Sequence, residues 1–405
     1  MNLSGIPGSE RMDIPENGFR GDLSPSEPRV AFLPVAEMDA AFTKTWIALA
    51  EQASEPNIFY EQWFLSPGLT AFDHHPDMRL FLLWAGEPGH SQLLGLLPLG
   101  PQSHFGRWPV PHVQNWMHHN CFLGTPLVRK GFEPVFWEQL LTALDAGDWP
   151  GFLHINGMTI GGPLDQALRA VCGNQKRRCD LVHSETRALL QSDLGSEAYF
   201  NATVRGKKRK ELRRQAKRLE ELGAITYGKY SGSEGLDQWI DEFLQLERCG
   251  WKGLGGSALD SVGQTREFFR EALLGAALAG QLERYDIRLE GTPLAMLVNF
   301  HSGRHSFSFK TAFDEAFARF SPGVLLQLEN LKMLDDPSIV WMDSCAAQDH
   351  PMIDSLWSDR RHIGRFSIEL NGLSRRAIFR GLRLGEGLMG KIKRRAISDP
   401  TEGPQ

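Results

Sequence analysis

Residues 283–311 read ERYDIRL EGTP LAMLVNFH SGR HSFSFKT, and this stretch decides the fold. Glu283–Leu289 has the composition of a strand, Glu290-Gly291-Thr292-Pro293 is a turn, and Leu294–His301 is the returning strand. Ser302-Gly303-Arg304 then turns into a third strand, His305–Thr311. Downstream the spacing predicts a helix opening at Ser321-Pro322-Gly323, a strand Ile339–Asp343, a helix through Met352, Ile353 and Trp357, and a strand Ile363–Leu370. Upstream the same order is written once before. A hairpin, Arg79–Ala85 and Gln92–Leu99 about the turn Gly86–Gly89, precedes a helix Phe132–Ala146, a strand Phe152–Ile155, a helix Pro163–Val171 and a strand near Thr186–Leu190. Antiparallel strands followed by helical crossovers describe an α/β (α+β) fold, a mixed, mostly antiparallel sheet with helices on its faces. The expected organisation is a flexible tail 1–28, two similar domains 29–190 and 191–370, and a basic tail 371–405.

Composition sets the limits. A chain of 405 residues is long enough for two domains of ordinary size. Its 41% hydrophobic and 23% charged residues fit neither a membrane protein nor a disordered one. The five cysteines are scattered without a CxxC pair, so neither a disulfide framework nor a metal site is expected. The first residues lack a signal-peptide pattern, and no apolar run approaches the ~20 residues of a membrane span, which points to the cytoplasm. Net charge is −5, yet nine basic residues crowd 205–218 around the single acid Glu211. Such a cluster on an acidic chain points to an anionic partner.

Five stretches carry candidate functions. In Ala318–Leu325 (ARFSPGVL), Ser321 can cap, Pro322 suits a first helical turn and Gly323 lets a ligand approach the backbone. This start, continued by Val324 and Leu325, would offer amide N–H groups to a phosphate, with Arg319 as an added charge; an ordinary capped helix explains the same residues. Lys310 and Asp314 leave the third strand just ahead of it, where α/β sheets place ligands, and equally suit an ion pair. After the strand ending at Asp343 comes the polar run SCAAQDHPM, in which Asp343 or His350 is the candidate base. The pair Cys345 and His350 lacks a third orienting group for thiol catalysis. Trp251 and Lys252 sit in a glycine-rich loop able to close over a substrate, and with Asp314 and Trp357 are the expected acceptor contacts. Residues 375–395 carry eight basic residues among apolar ones, a pattern for a membrane surface. Their four glycines argue instead for a flexible tail.

VRGKKRKELRRQAKRLEELG (204–223), GWKGLGGSAL (250–259), FKTAFDEAFARFSPGVLL (309–326) and DSCAAQDHPMIDSLWSDRR (343–361) resemble the BioF2-like, CelD-type group of GNAT acetyltransferases, which is linked to polysaccharide synthesis. LLGLLPL and LGTPLV echo it in the first half. The resemblance implies a tandem GNAT fold related to the FemAB transferases and an acyl group passed from acyl-CoA, typically acetyl-CoA, to an amine or hydroxyl of a small molecule or saccharide. In such folds pantetheine lies in an opening between central strands. Arg319 is followed by one glycine, Gly323, rather than the usual Arg/Gln-x-x-Gly-x-Gly/Ala, and FemAB relatives take aminoacyl-tRNA, so tRNA is the alternative donor. A non-catalytic accessory of exopolysaccharide assembly is the remaining reading.

Overall fold

The computed structural model describes residues 28–86, 92–249 and 263–398, with backbone alone for 249 and 388–398. The first half supplies strands β1 (Arg29–Pro34), β2 (Arg79–Ala85), β3 (Gln92–Gln102), β4 (His112–Asn115), β5 (Leu127–Val128), β6 (Leu153–Thr159) and β7 (Cys179–Leu190). Its helices are α1 (Ala40–Ala50), α2 (Gln62–Ala71), α3 (Glu133–Ala146) and α4 (Pro163–Asn174). The second half begins with α5 (Ser196–Thr203), α6 (Gly206–Glu220), β8 (Ile225–Ser231), α7 (Leu236–Cys249) and α8 (Gly263–Leu278). It continues through β9 (Leu282–Leu289), β10 (Thr292–Ser302), β11 (His305–Phe313), α9 (Pro322–Asn330), β12 (Trp341–Asp343), β13 (Asp359–Ile368) and α10 (Leu373–Ser398).

All strands join one sheet of order β1-β2-β3-β4-β6-β13-β7-β12-β11-β10-β9-β8, with β5 on β3. The order is a palindrome. Setting β8–β11 against β1–β4, β12 against β6 and β13 against β7 gives the same sequence from either edge. Each half runs four antiparallel strands into one parallel pair, β4 with β6 and β11 with β12. The helix-bearing connections between those parallel partners are what parallel pairing requires. At the centre the last strands are exchanged: β7 pairs with β12 and β13 of the second half, while β13 pairs with β6 of the first.

Leucine and phenylalanine dominate the core, because both faces of the inner strands β2, β3, β9, β10 and β11 are covered, whereas the edge strands β1 and β8 stay partly exposed. β3 keeps Leu93–Leu99 inside along almost its whole length. On β11 the ring of Phe309 lies near Phe269 of α8, whereas the Ser308 hydroxyl meets Asn330 of α9. Along β10, Met296, Val298 and Phe300 share one core with Phe268 and Phe269 of α8, while the alternating Ala295 and Leu297 share another with Leu325 and Leu326 of α9, so the two helices cover opposite sides of the second half.

Two expectations fail here. The helix through Met352, Ile353 and Trp357 is a run of turns, pinned by the Ser355 hydroxyl donating to the Met352 carbonyl. Left-handed backbone at Cys345 and Asp349 bends the chain in advance of it. The expected flexible basic tail is instead helix α10, whose Phe379 and Leu382 bury against Phe152, Phe105 and Trp108. Arg380 and Arg383 tie it to Glu369 and Asp180. Packing overrides the cost of its glycines. The turn 87–89 and most of the first 28 residues lie outside the described residues.

Candidate active site

β11 and β12 pair only from His305–Trp341 to Phe307–Asp343 and then part, because β11 continues to Phe313 while β12 ends. Where they part, the register of β11 on β10 slips between Val298 and Asn299, leaving Phe309 as an extra residue. Such a bulge bends the strand and re-aims its side chains and amides. The opening is a cavity of about 640 Å³, walled by Ser308, Phe309 and Lys310 on one side and by Ser344–Ala347 on the other. Ser321, Gly323 and Val324, at the start of α9, close its third side.

The start of α9 is built by backbone rather than by a side-chain cap. Ser321 has φ 53° and makes no side-chain cap bond, contrary to the capping role its type suggested. Its carbonyl instead accepts from the amides of Val324 and Leu325 at 2.9 and 3.0 Å. Cys345, across the same cavity, is also left-handed at φ 51°. Strained non-glycine backbone of this sort concentrates at ligand sites. Behind the cavity a polar ladder holds α9 to the sheet: Asn299 Nδ2 donates to Asn330 Oδ1 at 2.7 Å, Asn330 to Gln327 at 3.1 Å, and Gln327 to Thr311 at 3.3 Å.

Beneath the opening lies an ion cluster. Asp343 is fully buried, accepts from Arg361 at 2.7 Å and from the Cys345 amide at 2.8 Å, and stands 3.7 Å from Arg187. A carboxylate held by two guanidiniums is a strut for the Cys345 turn, which corrects its assignment as a base. Burial, and then the Asp343 charge, push the Cys345 thiol well above its usual range, so it stays a thiol.

On the other side of Phe122, which lines both spaces, a second cavity of about 420 Å³ holds Gln114, His118, His119, Asn156, Glu185 and Arg187 among its walls. Burial, helped by His119 and Lys310, lowers His118 to about 3, and it stacks on Phe72 with centroids 4.5 Å apart. His119 is exposed, and is likewise lowered by partial burial and then by the Lys310 charge, which leaves its imidazole neutral. Sequence reasoning missed both; the only signal was a His-rich segment with no periodicity.

The equivalent opening in the first half is shut. Beyond its last pair, Gln114–His154, the side-chain Nδ2 of Asn115 donates to the carbonyls of Gly124 and Asn156 and to the Tyr60 hydroxyl. Gly124 passes so close that a Cβ there would sit 2.1 Å from the Asn156 carbonyl oxygen.

Of the residues singled out from the sequence, Lys310, Ser321, Gly323, Val324 and His350 come together on the first cavity. Pro322 is buried at the helix start, and Leu325 turns into the core. Arg319 lies over the Phe320 ring at 4.7 Å, outside the cavity lining. Asp314 accepts from the Ala316 amide at 2.9 Å and so caps a short 3-10 turn. Trp357 is fully buried in the core and corrects its assignment as an acceptor contact. Trp251 and Lys252 lie outside the described residues. Among the described residues no cluster suits a metal ion, and no helix is long and apolar enough to cross a membrane.

Residues 206–350 match the acetyltransferase (GNAT) domain family. No curated protein sequence is significantly similar to the chain. Among solved structures, FemX is similar over 80% of this chain and 95% of its own, at 11% identity and a TM-score of 0.52. The C-terminal domain of a putative lysylphosphatidylglycerol synthetase from Agrobacterium fabrum is similar over 83% of this chain and 93% of its own, at 11% identity and a TM-score of 0.51. At such identities the likeness is one of fold. With the palindromic sheet and the match on its second half, the fold is a pair of GNAT-like α/β halves.

Proposed function

We propose that the chain is an acyl-CoA-dependent acyltransferase whose donor lies between β11 and β12. The observation that carries this reading is the opening past Phe307 and Asp343 with the start of α9 on the same cavity. The Gly323 amide at the helix start and the helix dipole favour the donor's pyrophosphate there. Pantetheine would thread the gap, placing the thioester beside the bulge at Phe309, where amides of β11 polarise its carbonyl. The acceptor approaches from the second cavity. His119, neutral at pH 7, takes the proton of the attacking amine or hydroxyl, and Lys310 orients donor or acceptor at the junction. His350 stands on the donor side, near the pyrophosphate.

An acetyl group, a small-molecule or saccharide acceptor, a cytoplasmic setting and a role in polysaccharide synthesis remain part of this reading, resting on the CelD-type resemblance. Val324→Asp tests the donor site. A carboxylate in the first turn suits a helix start, so folding should hold while the negative charge repels the pyrophosphate. Acetyl-CoA affinity by calorimetry should fall by about tenfold or more. A folded variant that binds as the parent does would refute the assignment.

One observation favours the aminoacyl-tRNA alternative: cationic α6 lies beside the donor side, with Gln215 donating to the Arg319 carbonyl at 3.3 Å. On that reading RNA co-purifies and its binding weakens steeply with salt.

A further inference from the structure

The walls of the 420 Å³ cavity are polar, and one member, Arg187, keeps donors without a hydrogen-bond partner among the described residues. Arg187 has only 6% of its side chain exposed. Its Nη2 donates to the Phe122 carbonyl at 2.8 Å and lies 3.6 Å from Glu185. Nη1 stands 3.7 Å from Asp343, a carboxylate already taken up by Arg361. Among the described residues neither Nε nor Nη1 of Arg187 has a hydrogen-bond partner. Burying unfilled donors on a guanidinium is costly unless something fills them, and an oxyanion does so best.

The neighbourhood narrows the ligand. Glu185, 37% exposed, sits beside Arg187 and offers an ammonium or hydroxyl a partner. Arg187 and Arg361 set against Asp343 and Glu185 leave the local charge near zero, which suits a zwitterion carrying one carboxylate better than a doubly charged phosphate. The volume, at the low end for small-molecule pockets, admits an amino acid with room for its side chain.

We propose that this cavity is the acceptor subsite and takes a small amino-carboxylate, with its carboxylate on Arg187 and a polar hydrogen-bearing group on Glu185. The inference rests on the transferase reading only in the direction of attack. A neutral amine or hydroxyl of the ligand passes Phe122 and bonds to the thioester carbon as the C–S bond breaks. His119 takes the nucleophile's proton and returns it to the departing thiolate.

Calorimetry on the full chain, with and without coenzyme A, tests it. The probes are the twenty common L-amino acids, the matching amines lacking the carboxylate, and glucosamine 6-phosphate. At least one amino acid should bind, and its amine should bind about tenfold more weakly or worse. Arg187→Gln should abolish that difference, and Glu185→Gln, which leaves the Asp343 cluster intact, should weaken the amino acid while coenzyme A binds as before. Should Arg187→Gln not fold, Arg187→Lys should likewise weaken the amino acid alone. Equal binding of acid and amine, preference for the sugar phosphate, or binding by none of the amino acids would overturn the proposal. Amino-acid binding without any coenzyme A binding would support the subsite and refute the donor reading instead.

Discussion

Asp343 was readable as a candidate base because it ends a strand ahead of a polar run, yet its surroundings make it a strut. Asp343→Asn keeps an acceptor for the Cys345 amide and removes the anion between Arg361 and Arg187. Urea denaturation should show a loss of roughly 3–5 kcal/mol, the cost of leaving buried guanidiniums unpaired. His118 works through protonation. Its folded form stays neutral down to about pH 3, whereas the unfolded chain binds a proton near pH 6.5. The unfolded state therefore holds more protons between those values, and stability falls as pH drops through that window. Similarly buried His154 has the same sign. In His118→Phe the fall should lose about one proton's slope, measured as unfolding free energy against pH. The sequence showed neither fact, since burial and pairing of a side chain depend on which distant strand lies beside it.

At the scale of elements, the strands were legible and the crossings less so. β2 and the hairpin of β9 and β10 stand where turn residues and apolar runs put them, and α3 follows its apolar stripe. Trp357 belonged to a predicted helix that does not form, and α10 forms despite its glycines because Phe379 finds a pocket in the first half. Local composition cannot see that pocket. The start of α9 was legible from Ser321-Pro322-Gly323, whereas Arg319, expected beside the donor, lies over the neighbouring Phe320 ring and outside the cavity lining. The ladder Asn299–Asn330–Gln327–Thr311 fixes α9 against β10 and β11. Asn330→Leu should cost about 1–3 kcal/mol by strewing unpaired amides beneath the helix, and should weaken acetyl-CoA binding through the displaced α9 start. Unchanged stability would mean that the ladder does not hold the helix.

For the molecule as a whole, the repeated order of elements was visible in the sequence and the exchange of β7 with β13 was not. A pattern gives the elements in order, whereas pairing between strands some 180 residues apart is decided by which edges are left open; residues 179–190 and 359–368 carry no mark of their partners. Expressed alone, 28–190 would present β6 and β7 without the strand that belongs between them. It should be aggregated or largely unfolded by circular dichroism and size exclusion, and co-expression with 191–398 should restore a soluble complex. A folded monomer of 28–190 would contradict the pairing. Interlaced in this way, the two halves have no seam along which to swing apart, as jaws on a pivot do. Gatekeeping then falls to the rims of the two clefts, and the gap that an acyl group must cross is as constant as the spacing of the strands that frame it.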